Sequence, residues 1–297
     1  MERKIEIKSW FTGLQASIIQ ALEQEDGTGV FGIDEWDRPG GGGGITRLLK
    51  GGAVIEKGGV NFSAVYGETP DPIRKSFQSD ASEFFATGVS IVIHPQNPFV
   101  PIIHMNVRYF ELSDGNSWFG GGIDLTPSYV FHEDGVFFHA ALKEVCDQFD
   151  PLWYAKYKSQ ADSYFRIPHR NETRGIGGIF YDRLAAKDLE NFTRLWEFTK
   201  KVGSAFAPVY TSLIAKRKNT PFTEEQKFWQ LHRRSRYAEF NLVYDAGTKF
   251  GLETNGRTES ILMSLPPVAC WESNYSPMEG SPEFVSQAYF QNPTDWV

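Results

Sequence analysis

The chain has 297 residues, 41% of them hydrophobic and 15% aromatic, enough apolar material to bury the core of one large domain. A formal charge of −7 and a pI of about 5.5 exclude general nucleic-acid binding, which needs a net basic surface. With 24 Phe, 12 Tyr and 8 Trp the composition is also far from that of a disordered chain.

Two cysteines, Cys146 and Cys270, are too few for a disulfide framework and lack metal-site spacing. Cys146 lies in an apolar helical pattern and reads as a buried, reduced thiol. No run approaches the ~18 apolar residues of a membrane helix, and the N-terminal residues show no signal-peptide h-region. A soluble protein of a reducing compartment, the cytoplasm, is the expectation.

Trp10, Phe11, Leu14, Ile18, Ala21 and Leu22 define one face of a first helix, with Ser9 as its cap and Asp26-Gly27 as its stop. Arg38-Pro39 and the run Gly40 to Gly44 read as a mobile loop, because a stretch without side chains holds no regular element by itself. Strands are predicted over 53–57 and 60–66 with Gly58-Gly59 as their turn, then over 88–94 and 102–111, separated by a loop bearing Pro95, Pro98 and Pro101. Amphipathic helices follow over 138–149, 152–165 and 192–214, the last kinked or divided at Pro208. Further strands are expected over 237–244, 249–253 and 261–265. Hairpin-like runs of strand between helices favour an antiparallel or mixed sheet covered by helices, in a single domain over 1–297.

Alternation splits the segment 102–110 into two unlike faces. Ile103, Met105, Val107 and Tyr109 form a core face, while His104, Asn106 and Arg108 share the other. The preceding strand adds Ser90 and His94 to that second face if the two strands pair. Solvated strand faces carry Lys, Glu and Thr more often than two His with Asn and Arg, so the pattern reads as a functional cleft. Arg174 opens RGIGG and Arg257 sits in TNGRTES. Glycines allow close backbone approach and guanidinium groups bind carboxylates or phosphates in forks, so the three arginines together suggest a polyanionic small molecule. Asp124, after three glycines in WFGGGIDLTP, reads either as a base in a partly desolvated setting or as a turn cap before Thr126-Pro127. The six histidines show no HExxH or other tight metal spacing, and neither glycine-rich run completes a nucleotide fingerprint. HRRSR at 232–236 is basic but short and leads into the expected strand at 237.

Eight segments, taken in order, resemble the oxygen-dependent coproporphyrinogen III oxidases: RPGGGGGITR (38–47), EKGGVNFS (56–63), GVSIVIHP (88–95), HMNVRYF (104–110), WFGGGIDLTP (118–127), HRNETRGIGGIFYD (169–182), RYAEFNLVYD (236–245) and GRTESILMSLPP (256–267). The likeness runs from about Phe31 to the C-terminal Asp295-Trp296-Val297. It implies an α+β fold with one large antiparallel sheet of about seven strands flanked by helices on both faces, in a homodimer formed around 237–272. It implies oxidative decarboxylation of two propionates of coproporphyrinogen III to vinyls, giving protoporphyrinogen IX, with dioxygen as acceptor and no organic cofactor. By motif position the resemblance makes Ser90, Asn106-Val107-Arg108 and Asn255-Gly256-Arg257 substrate-binding, His104 a proton donor, and Asp124 and Arg174 catalytic. It offers His94, His104, His139 and His169 as ligands of a divalent metal, which some relatives are described as needing and others not. Asn255, where relatives commonly carry Gly, and Ala140 depart from the pattern. A tetrapyrrole carrier without catalysis and a histidine-metal hydrolase are the alternative readings.

Overall fold

The computed structural model describes residues 2–253 and 256–297. After the long helix α1 (Glu2–Asp26), the chain builds a sheet by antiparallel addition: β1 (Gly32–Asp37), β2 (Gly42–Lys50), β3 (Ile55–Glu68), a short helix α2 (Asp71–Phe77), β4 (Glu83–Pro95), β5 (Ile102–Leu112) and β6 (Ser117–Thr126). Helices α3 (His132–Asp147) and α4 (Trp153–Tyr164) and a small hairpin, β7 (Arg166–Ile167) with β8 (Glu172–Thr173), lead to β9 (Gly178–Ala185). That strand pairs with β6 and completes the order β1-β2-β3-β4-β5-β6-β9, a seven-stranded antiparallel sheet. The chain then continues as α5 (Leu189–Arg217), α6 (Glu224–Val243), α7 (Ala246–Glu253), α8 (Thr258–Leu262) and α9 (Pro282–Gln291).

The two-residue period decides which helices lie where. Val60 and Phe62 on β3, Val89, Ile91 and Ile93 on β4, Ile103, Met105 and Val107 on β5, and Ile179 and Tyr181 on β9 all point to one face and are buried there. Helices α1, α4 and α5 pack on that face and α3 packs on α5, so this is the main core, with Cys146 inside it as a buried free thiol. Burial pushes that thiol up to about 12, which keeps it inert. Helices α6 and α8 reach the opposite face. Tyr237 of α6 packs on Val92 and Ile102, while Ser260 of α8 hydrogen-bonds Thr46 and receives the Asn61 amide at its carbonyl. Among the described residues no helix is long and apolar enough to cross a membrane.

Several sequence-based expectations change. The Gly40–Gly44 run is built into the sheet: Gly40, Gly41 and Gly42 make the turn with positive φ, and Gly43 and Gly44 pair with β1 on one side and β3 on the other. A side chain at Gly44 would meet the Trp36 ring at 2.4 Å, so the glycines are required by close packing rather than by mobility. Gly58-Gly59 is not a turn. Both glycines lie inside β3, and a Cβ at Gly59 would sit 2.0 Å from the Met263 sulfur that covers it. The turn is at Gly51-Gly52, whose amides bond to Glu56 and Ile55. Asp26 ties this turn to the end of α1 by accepting from the amides of Gly29, Ala53, Val54 and Ile55. Ser9 is interior to α1, which starts seven residues earlier at Glu2. Pro208 does not divide α5, since both it and Ser204, whose carbonyl it leaves without an amide partner, are exposed to water.

The largest change concerns 237–265, read as three strands and folded as helices. Thr223 and Gln226 form a reciprocal capping box that starts α6. The helix then buries Trp229, Gln230, Arg233, Arg234, Tyr237, Ala238, Phe240 and Asn241, a helical stripe hidden in the sequence because two of its members are arginines. Asp245 accepts from the Thr248 amide and opens α7. The segment HRRSR therefore lies within a helix, not before a strand.

Candidate active site

Strand register gathers the predicted cleft residues as expected. Thr46, Asn61, Ser90, Asn106, Gly122 and Phe180 are successive cross-strand partners and form one row on the face opposite the main core. In the next row His104 lies between Val92 and Asp124, and on the other side of the polar row Arg108 lies between Gly88 and Gly120. Ser90, His104, Asn106 and Arg108 are half-buried, so this face is a polar floor that a ligand can reach. Helix α6 walls it on the His94 side, and Phe165 and Tyr164, the latter stacked on Phe180 at 4.3 Å between ring centroids, wall it at the β9 edge.

Below His104 runs a chain of buried charge. Nδ1 of His104 is 2.7 Å from Oδ1 of Asp124, and Oδ2 of Asp124 accepts from Arg174 at 2.6 Å. Asp124 and Arg174 are each 2% exposed. Burial alone would raise the Asp124 pKa, but the Arg174 charge and the His104 hydrogen bond win and hold it below the usual carboxylate range. Burial pulls the other way on Arg174, and the Asp124 charge raises it instead. Arg174 donates in addition to Asn241 Oδ1 at 2.7 Å and is enclosed by the rings of Phe165, Tyr237 and Phe240. With Nδ1 held by Asp124, the His104 edge bearing Nε2 is the one left for a ligand, and no described residue bonds to it.

The sequence reads Asp124 either as a base in a partly desolvated setting or as a turn cap, and the structure places it beneath His104. Both carboxylate oxygens are engaged beneath His104, one by the imidazole and one by Arg174, an arrangement that fixes the orientation and tautomer of the ring. Val107 has its side chain in the main core and its backbone between the neighbouring strands. The three glycines have divided duties. A side chain at Gly121 would strike the Tyr181 hydroxyl in the core, whereas one at Gly120 would strike Asp182 and Arg108 on the cleft face.

Arg108 donates to Asn106 at 3.0 Å and to Asp182 at 2.8 Å. Arg257, at the N-terminus of α8, stands across the floor beside β1 and β2, held by Asp34 at 2.5 Å and near Thr46 and Ser260. The two cations thus flank the floor at its opposite sides. Gly256 bonds its amide to Gly251, and Asn255 lies outside the described residues.

The four histidines offered as metal ligands do not converge. His94 is fully buried with Nε2 on the Ser264 carbonyl, and burial with Arg234 nearby lowers its pKa well below the ordinary imidazole value. His139 sits in the helical layer on the other face of the sheet, its nitrogens on the Tyr154 hydroxyl and the Ile176 carbonyl, and burial lowers its pKa to about 3. His169 is exposed and bonds to Tyr244 and Glu239. Among the described residues no three His, Cys, Asp or Glu side chains are placed to hold a metal ion. Such scattered, individually satisfied donors do not fit a divalent metal bound by this set.

Sequence reading missed Asn61, Phe180, Asp182 and Asn241. The first three follow from strand parity once β3 and β9 are in register, whereas Asn241 reaches Arg174 only through the helix that was read as a strand.

A half-open sheet face with one free imidazole edge, a buried carboxylate behind it and arginines on both flanks has the form of an enzyme cleft for a polyanionic substrate. The chain matches the family model described as coproporphyrinogen III oxidase over residues 6–296, and it belongs to that family. It is 47% identical to a chloroplastic oxygen-dependent coproporphyrinogen-III oxidase of Glycine max, over 95% of this chain and 77% of the relative. It is 43% identical to an oxygen-dependent coproporphyrinogen-III oxidase of Prochlorococcus marinus, over 99% and 93%. A chloroplastic coproporphyrinogen-III oxidase 1 of Arabidopsis thaliana is 47% identical, over 95% and 76%.

Proposed function

We propose that the face centred on His104 performs the family's reaction, the oxygen-dependent oxidative decarboxylation of coproporphyrinogen III to protoporphyrinogen IX. The observation that carries this is the His104–Asp124–Arg174 chain, which leaves one imidazole edge on a floor flanked by Arg108 and Arg257. The substrate carries four propionates, and the flanking arginines answer two ends of such a molecule with fork hydrogen bonds. Ser90 and Asn106 supply neutral hydrogen-bonding groups between them. For each propionate converted, the carboxylate leaves as carbon dioxide, the β-carbon gives up a hydrogen and two electrons, and dioxygen takes up those two electrons and two protons, one of them from that hydrogen, to become hydrogen peroxide. His104, held by Asp124 and with Nε2 toward the substrate, moves one of those protons. The macrocycle is electron-rich and supplies its own electrons, so the protein's part is positioning, proton handling and exclusion of water, without an organic cofactor. None of these steps uses a metal, and the scattered histidines support that reading.

The 297 residues act as one catalytic domain, and the free thiols Cys146 and Cys270 fit a cytoplasmic site of action. The assembly in this reading is a homodimer formed through 237–272. Leu242, Val243, Phe250, Leu252, Val268 and Trp271 are each 43–56% exposed in that stretch, an apolar surface that a second copy would cover. Sedimentation should give a dimer and Leu242→Asp a monomer; a wild-type monomer at micromolar concentration would contradict this part of the reading.

Steady-state assay of the purified protein tests the reaction. Coproporphyrinogen III should yield protoporphyrinogen IX in air, none under argon, and an unchanged rate after treatment with chelator. Stoichiometric binding in air with no vinyl product would leave a carrier instead of an enzyme.

A further inference from the structure

Three aspartates stand on the cleft face of the described strands: Asp34, Asp124 and Asp182. Asp34 is committed to Arg257 at the β1 edge, and both oxygens of Asp124 are committed beneath His104. Asp182 differs from both. Its side chain is 41% exposed, Oδ1 accepts from Arg108, and Oδ2 has no hydrogen bond among the described residues.

The backbone around Asp182 departs from regular sheet to place it there. Tyr181 pairs with Gly121 and Leu184 with Phe119, so Asp182 and Arg183 together oppose the single residue Gly120. This is a β-bulge, and Arg183 completes it at φ 53°, a left-handed conformation that side chains seldom adopt. Gly120 opposite is the matching concession: a Cβ there would lie 2.7 Å from Asp182 Oδ1 and 2.9 Å from Arg108 Nε. A strained, unpaired position beside a cleft is a common device for aiming a side chain at a ligand.

We propose that Asp182 is the carboxylate that accepts the pyrrole N–H hydrogen bonds of the substrate and takes the ring proton during turnover, which rests on the reading of this face as the porphyrinogen site. An anionic group beside the propionate-binding Arg108, at the β9 edge of the floor, would repel a ligand that offered only carboxylates. Coproporphyrinogen also offers four N–H donors, and a free carboxylate oxygen is the complement of those. In the step, an N–H bond breaks and an O–H bond forms on Asp182, and the electron pair stays on the ring nitrogen. The anionic macrocycle then gives electrons to dioxygen, the oxidant of the family's reaction, more readily. Arg108 keeps the carboxylate in place and balances its charge before the proton arrives.

Asp182→Asn tests this, because Asn keeps the oxygen that binds Arg108 and loses only the basic site. Its kcat should fall about 100-fold or more, as for removal of a general base. KM should stay within about threefold. Asp182→Ser, smaller and also neutral, serves if the first variant does not fold. A kcat within about threefold of wild type in either folded variant overturns the proposal. So does a rise in KM at constant kcat, which would make Asp182 only the holder of Arg108. If the wild type itself forms no vinyl product, the assignment of the reaction fails instead.

Discussion

Asp124→Asn should lower kcat about 100-fold or more and also lower the melting temperature, two losses with separate causes. The first arises because His104 loses the charged partner that fixes its tautomer and steadies its protonated form, an effect of the size of general acid–base contributions. The second arises because Arg174, 2% exposed, keeps its charge in an apolar cage without an anion beside it. Breaking one side of a buried pair costs about 3–5 kcal/mol, which for a chain of this size is about 10 °C. A simple turn cap predicts neither loss, since Asn caps as well as Asp. The double variant Asp124→Asn with Arg174→Met separates the two effects. Removing the orphaned cation should restore much of the melting temperature and none of the kcat. Near-wild-type kcat in the single variant would remove the chain behind His104 from the mechanism.

Arg257→Ala should act on binding instead. Loss of a propionate partner leaves a desolvated carboxylate unpaired, worth about 2–5 kcal/mol, so kcat/KM should fall by about 30-fold to several thousand-fold, mostly through KM. Arg257→Lys should recover part of it, because the ammonium keeps the charge but not the fork. Stability should change little, since the Arg257–Asp34 pair is partly exposed and such pairs contribute about 0–1 kcal/mol. Arg108→Ala should behave similarly, from the other flank of the floor. Unchanged kinetics in both alanine variants would make these arginines structural.

The contrast between these two sites shows what the residues alone reveal. His104, Asn106 and Arg108 were legible because alternation in 102–110 is strict and strand parity needs no knowledge of the rest of the fold. Ser90 joined them because β4 and β5 pair as neighbours, the simplest topology two such strands have. The surroundings of Asp124 were only partly legible: three preceding glycines suggest an open approach, whereas Gly121 serves the core and one carboxylate oxygen is held by Arg174, fifty positions further along the chain. No local pattern reports such a contact. The helix α6 was lost for a related reason, since Arg233 and Arg234 occupy buried positions of its inner face and break the apolar period. Their anionic partners, Glu172 and Glu56, come from distant strands. Glycine was the other source of error. In Gly40–Gly44 and Gly58-Gly59 it was taken for flexibility or a turn, while the structure uses it where Trp36 and Met263 leave no room for a Cβ. Asp182 is hidden in the sequence because the bulge that presents it is invisible until the register of β6 and β9 is known.

The measurement closest to the central claim is a single turnover with binding and oxidation separated in time. Protein and one equivalent of coproporphyrinogen III are mixed under argon, and oxygen is then admitted while quenched samples are analysed for tetrapyrroles and hydrogen peroxide. A complex that is stable and product-free until oxygen arrives, then yields protoporphyrinogen IX with hydrogen peroxide, and forms weakly when Arg108 and Arg257 are both alanine, is the predicted result. Vinyl product before oxygen is admitted, or undiminished binding and turnover in the double alanine variant, would contradict it.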